Sequence, residues 1–178
     1  IMNKKDYLIL DFESDDLDTN TLSPIQFGAL IVDGSKLEIV PNSEFYSWSR
    51  PDNIDNPNYY LNHKDTIDFH CRNYGCSSDE FINKLKKAPI EKTVFENFLN
   101  FVSQYHNRQS GQTAFSAPIF VGFNSYSFDF PILDRLCQKY KKVGKDDKQS
   151  LYSPRDSMDI LKIITLWFDP LEDITSYK

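Results

Sequence analysis

Residues 7–14 read Tyr7-Leu8-Ile9-Leu10-Asp11-Phe12-Glu13-Ser14, an apolar run that ends in two carboxylates separated by one phenylalanine. Four consecutive apolar residues leave no polar face, so the segment reads as a strand buried on both sides, central in its sheet. Side chains alternate along a strand, which puts Asp11 and Glu13 on the same face, about 7 Å apart along the backbone. Like charges brought to about 4 Å in a medium of effective dielectric near 20 repel by roughly 4 kcal/mol. A shared proton, a basic side chain or a divalent cation has to offset that repulsion.

The rest of the chain supplies a sheet around this strand, whose first part is placed at 6–11. Residues 25–32 (IQFGALIV) read as a second strand, and Asp33-Gly34 provides the turn into a third at 44–48, making an antiparallel meander. Residues 51–76 are rich in Asn, Asp, Pro and aromatics without a clear period and read as an irregular excursion. Ser77 and Glu80 stand at capping-box spacing and open a helix. Val94, Phe95, Phe98, Leu99, Val102 and Tyr105 recur at helical steps within 92–106. Residues 118–122 (PIFVG) are a short apolar strand, and Ile132, Leu133, Leu136, Cys137 and Tyr140 form the stripe of a following helix, with Pro131 in its first turn. The segment KKVGKDDKQS is a charged loop, and 158–167 reads as a last helix capped by Asp156 or Ser157. Strands followed by helices and a further strand give an α/β domain around a mixed sheet.

With 178 residues, 40% of them hydrophobic, the chain has the material for one core. Its net charge of −6 does not suggest a protein that coats nucleic acid through its overall field, but it does not exclude an enzyme that holds a short substrate locally. Lys84, Lys86 and Lys87, and Lys139, Lys141, Lys142, Lys145 and Lys148, are read as the solvated faces of helices and their flanks. No apolar run approaches a membrane span and no secretion signal is evident. Three cysteines in such a chain indicate reduced thiols, and a cytoplasmic location, or one with the nucleoid or nucleus, is expected. His70, Cys71 and Cys76 lack a fourth ligand at zinc spacing and are read as loop residues. The aromatics from Tyr59 to Tyr74 are assigned to packing in preference to stacking on a nucleic-acid strand.

Asp129 is the third notable carboxylate, just past a buried strand and at the start of a helix in the context GFNSYSFDFP. Alone it reads as an N-cap or first-turn acid, as Asp11 alone reads as a turn residue. Together, three carboxylates at the ends of apolar strands point to a site.

The segment DFESDDL at 11–17 resembles the first motif of the DEDD-type (DnaQ-like) 3′–5′ exonucleases, Asp-x-Glu-Thr-x-x-Leu, with Ser14 in place of the threonine. IFVGFNSYSFDFPILDRL at 119–136 is similar to their second motif, with the Asn124 to Asp129 spacing of the exonuclease I-type and three-prime repair members. KAPIEKTVFENFLNFV at 87–102 resembles the segment leading into it, so the resemblance covers essentially the whole chain.

The resemblance implies a ribonuclease H-like fold: an antiparallel meander followed by a parallel strand, flanked by helices. It also implies 3′–5′ exonuclease activity by hydrolysis of a terminal phosphodiester with two Mg²⁺ or Mn²⁺ ions. Asp11, Glu13 and Asp129 would be the metal-binding catalytic set, with Asp11 bridging both ions. Phe12, Ser14, Leu17, Asn124 and Phe128 would hold the terminal nucleotide, Leu17 as an apolar wedge unless it is a core residue. The implied partners are single-stranded nucleic acid or 3′ ends, DNA ahead of RNA, together with a polymerase or a completing partner chain, and no membrane. The family's third motif, His-x-x-x-x-Asp or Tyr-x-x-x-Asp, is not found. The expectation is one exonuclease domain over 1–178 without its motif-III helix, and hence without the general base and fourth carboxylate. The alternative is an incomplete exonuclease-like module that grips nucleic-acid ends or docks on a partner. His63 and His70 receive no role and His106 is read as a helix-end cation; Asp156 and Asp159 are read as a cap and an exposed helical residue, and Asp169 and Asp173 as turn residues.

Overall fold

A computed structural model describes residues 5–106, 117–140, 151–152 and 156–167. Five strands form one sheet in the order β3-β2-β1-β4-β5. β1 (Tyr7–Ser14), β2 (Pro24–Val32) and β3 (Ile39–Trp48) are the antiparallel meander. β4 (Ile119–Gly122) adds to the other edge of β1 in parallel, and β5 (Met158–Asp159) adds to β4 in parallel. The expected mixed sheet is present, with β1 at its centre.

β1 runs further than residues 6–11. It stays paired with β2 through Asp11↔Gly28, Phe12↔Phe27 and Glu13↔Gln26, and the register slips only between Glu13 and Ser14. The two carboxylates therefore lie within a hydrogen-bonded strand, on a rigid support. One sheet face, carrying Leu8, Leu10, Phe12, Phe27, Ala29 and Ile31, is buried under α4 (Glu91–Gln104) and α5 (Asp129–Tyr140). The rings of Phe12, Phe27 and Phe98 meet there at 4.7–6.1 Å between centroids. Burying each such side chain contributes about 1.5–3 kcal/mol, which fixes the register of β1 and, with it, the face that Asp11 and Glu13 occupy. The opposite face of β1, with Tyr7, Ile9, Asp11 and Glu13, is half-buried or exposed.

The excursion at 51–76 is more ordered than its composition implies. It contains α1 (Tyr59–Asn62) and α2 (Lys64–Tyr74), closed by Gly75 in the left-handed conformation, φ 63°. Ile67, His70 and Cys71 give α2 a narrow buried stripe, and with Tyr59 they pack against Ile25, Ile54 and the Phe81 and Leu85 stripe of α3 (Ser78–Lys87). Tertiary burial here overrides weak helix propensity. α3 begins with the expected capping box between Ser77 and Glu80. The cysteines are free thiols.

The last described segment differs from a helix over 158–167. Met158 and Asp159 pair with Val121 and Gly122, and α6 (Ile160–Trp167) starts only afterwards. Its cap is neither Asp156, which pairs with Lys5 at 2.8 Å, nor Ser157: Asp159 Oδ1 accepts from Leu161 N–H at 3.1 Å. The charged loop at 141–150, with Lys141, Lys142, Lys145 and Lys148, lies outside the described residues, as do Asp169 and Asp173. Among the described residues no helix is long and apolar enough to cross a membrane.

Candidate active site

β4 stops running beside β1 at the level of Ile9, because the chain turns away after Gly122. The turn is tight: a Cβ on Gly122 would stand 2.7 Å from Ser125 Cβ and 3.2 Å from Leu10 O. Past that point the β4 side of β1 has no strand to pair with, and an unpaired backbone N–H would be costly. The carboxylate of Asp129, first residue of α5, takes the strand's place: Phe12 N–H donates to Asp129 Oδ1 at 2.8 Å. Residues 117 positions apart are thereby joined, and Asp129 is seated at the level of Asp11 and Glu13.

The electrostatics record that proximity. Burial pushes the Asp129 carboxyl up to about 7; the Phe12 N–H opposes the shift, while the charges of Asp11 and Glu13 add to it. Burial also raises the Asp11 carboxyl. Glu13 is raised by burial and by Asp11, against an opposing pull from His70. Among the described residues no lysine or arginine forms an ion pair with any of the three. Of the three ways to relieve the crowding, a basic partner is confined to His70, whose Nδ1 lies 4.0 Å from Glu13 Oε2. A proton on Asp129 or a bound cation remains.

Neither a protein-family model nor a curated relative matches the sequence. Solved structures do match. Exonuclease I of E. coli in complex with a dT13 oligonucleotide aligns over 92% of this chain and 29% of its own, with a TM-score of 0.59 and 15% identity. Exonuclease I from Methylocaldum szegediense aligns over 91% and 29%, TM-score 0.59, at 13% identity. Cell-death related nuclease 4 aligns over 96% and 50%, TM-score 0.58, at 17% identity. The fold is the ribonuclease H-like α/β fold of these nucleases. The chain spans about a third of the exonuclease I length and half of the cell-death nuclease.

Within this fold the three carboxylates expected as ligands lie near one another. Among the described residues no group of three or more His, Cys, Asp or Glu side chains is already arranged to hold a metal ion. One Asp129 oxygen is engaged by the Phe12 N–H, and Glu13 stands beside His70. The donor chemistry nevertheless fits, since carboxylate oxygens are the preferred ligands of hard divalent cations.

The surrounding residues divide. Leu17 is 78% exposed, so it is not a core residue. Ser14 is buried and its hydroxyl donates to the carbonyl of Asp16, turned away from the carboxylate face. The Phe12 side chain is in the core and its N–H is committed to Asp129. Asn124 is exposed with φ 55°, and Phe128 packs half-buried against the core.

Two site residues escaped the sequence reading. His70 Nε2 lies 2.9 Å from Ser14 O; a carbonyl only accepts, so Nε2 donates to it, while Nδ1 faces Glu13 Oε2 at 4.0 Å. The ring stacks on Phe81 of α3 with centroids 5.6 Å apart, and its contact with Ser14 ties α2 to the end of β1. The signal was a polar residue on the Ile67, His70, Cys71 stripe. Asp159, read as exposed, is 2% exposed. Its carboxylate accepts from Asn124 N–H at 2.9 Å and Tyr126 N–H at 3.0 Å, holding the loop that delivers Asp129. Tyr126 Oη donates to Ser157 O at 2.8 Å and closes the loop from its other side.

Proposed function

We propose that this chain is the core of a divalent-metal-dependent 3′–5′ exonuclease acting on single-stranded nucleic acid, DNA ahead of RNA. The observation that carries the reading is the seating of Asp129 beside Asp11 and Glu13 through the Phe12 N–H, on an exonuclease fold. The oligonucleotide bound in the E. coli exonuclease I structure supports the choice of substrate.

Asp11, Glu13 and Asp129 would hold the metal. Bound ions supply activation of the attacking water and stabilisation of the leaving 3′ oxygen. The chain's own part is to fix three anionic oxygens on a strand and a helix start, so that little reorganisation is needed during reaction. Asp129, its carboxyl raised to about 7, would give up its proton around neutral pH and then offer an anionic oxygen to a metal. Leu17, exposed beyond the end of β1, would press on the terminal base. The family's third motif is not found in the sequence, and a general base contributes about 10²–10⁴-fold, so the rate without one would be lower by that factor.

The test uses a 5′-labelled single strand with Mn²⁺. Shortening from the 3′ end, lost in Asp129→Asn and absent on a circular strand, is expected. Binding of neither Mn²⁺ nor 3′ ends by the folded chain overturns the reading.

A further inference from the structure

The sheet face that bears the carboxylates runs alongside α2 and α3, which cover its Gln26 row, to a basic aromatic groove on β3. The register sets Asp11, Gly28 and Tyr46 in one row across β1, β2 and β3, and Glu13, Gln26 and Trp48 in the next. Directly paired residues project from the same face, and two strand spacings make about 10 Å. Gly28 carries no side chain, so bare backbone lies between Asp11 and Tyr46. Tyr46 is 63% exposed, yet it is held: buried Gln26 donates from Nε2 to Tyr46 Oη at 3.1 Å and accepts from Tyr74 Oη at 2.9 Å. An exposed ring anchored by a buried amide is a fixed stacking platform.

Beside it, β3 and α3 enclose a groove of about 780 Å³ lined by Tyr46, Trp48, Lys84 and Lys87 among others. Lys84 Nζ sits 3.8 Å from the centre of the Trp48 ring. Among the described residues neither Lys84 nor Lys87 is in an ion pair, although the chain has a net charge of −6. Glu80, also on the groove, spends its carboxylate on the Ser77 cap. Two cations without acidic partners next to a fixed aromatic ring match the phosphate and base of a single strand.

We infer that this groove holds the nucleotides upstream of the 3′ end, with a base on Tyr46 and a phosphate between Lys84 and Lys87. The inference rests on the proposed function, since the strand's end must lie at Asp11, Glu13 and Asp129. It assigns Lys84 and Lys87 a role beyond a solvated helix face.

The test is fluorescence anisotropy in Ca²⁺ with a dodecanucleotide and a dinucleotide, each over a range of salt. Tyr46→Ala is expected to weaken the dodecanucleotide about ten-fold, with a much smaller effect on the dinucleotide. Lys84→Glu with Lys87→Glu should weaken it further and lower the salt slope by about one per lysine. In a Trp167→Phe background, the dodecanucleotide should quench Trp48 fluorescence. If these variants bind the dodecanucleotide like wild type while Asp129→Asn does not, the groove assignment falls and the exonuclease reading stands. If wild type binds no oligonucleotide, both fall.

Discussion

Asp129 is the strand partner that β1 lacks: its carboxylate receives the Phe12 N–H at 2.8 Å where β4 has already turned away. One hydrogen bond thus satisfies the backbone and places a third carboxylate beside two others. The carboxyl reaches about 7 from an ordinary value of 3.8 because burial and its neighbours both favour the neutral form. Between those pH values the folded chain holds a proton that the unfolded chain has released. Stability of the metal-free protein should therefore fall as pH rises from about 4 to about 7 and level off above, by roughly 3–4 kcal/mol from this group. Asp129→Asn keeps an acceptor for Phe12 and removes the charge. Denaturant titrations at about pH 5 and about pH 8 should find the variant's stability relative to wild type clearly greater at the higher pH.

Metal should reverse that penalty. Mn²⁺ binds the ionised carboxylates, so below pH about 7 it must displace the Asp129 proton, and its affinity should rise with pH up to that point. At a hundred-fold excess over its dissociation constant the ion should add about 2.7 kcal/mol of stability. Thermal midpoints with and without Mn²⁺ measure the gain, which should be larger at about pH 8 than at about pH 6 and largely lost in Asp11→Asn. A gain unchanged in that variant would place the ion elsewhere.

His70 should matter for the shape of the site. Its Nε2–H satisfies the Ser14 carbonyl and its ring stacks on Phe81. His70→Ala leaves a buried carbonyl unpaired and opens a cavity, at about 2–4 kcal/mol. His70→Phe keeps the stack and loses only the bond, at about 1–3 kcal/mol. Urea midpoints should fall in that order, and equal midpoints for the two variants would show that the stack contributes nothing.

How far these relationships were legible in the sequence depended on how each residue advertises itself. β1 was readable because four apolar residues before Asp11 admit little but a central strand, and α4 because its stripe repeats over fourteen residues. α2 was hidden: only Ile67, His70 and Cys71 are buried among many polar residues, and the partners that make that stripe worthwhile, Ile25 and Phe81, come from other segments. Ser14 matched its motif by residue type, but the bulge after Glu13 turns its hydroxyl to Asp16. β5 is two residues long, too short for any period to register, so Asp159 looked like a helical surface residue.

Asp159 supplies the sharpest mutational test of how the loop presents Asp129. Its Oδ1 accepts from Asn124 N–H and Leu161 N–H, and its Oδ2 from Tyr126 N–H. Asn at this position turns one acceptor into a donor that faces an N–H, so Asp159→Asn should cost about 1–3 kcal/mol, and Asp159→Ala, which strands three donors, about 3 kcal/mol or more. Loosening that loop should let Asp129 drift from Phe12 and lower Mn²⁺ affinity in Asp159→Asn under conditions where the variant remains folded. Calorimetric titration beside urea melts separates the two effects. Stability lost with Mn²⁺ affinity intact would mean that the Phe12 N–H alone keeps Asp129 in place.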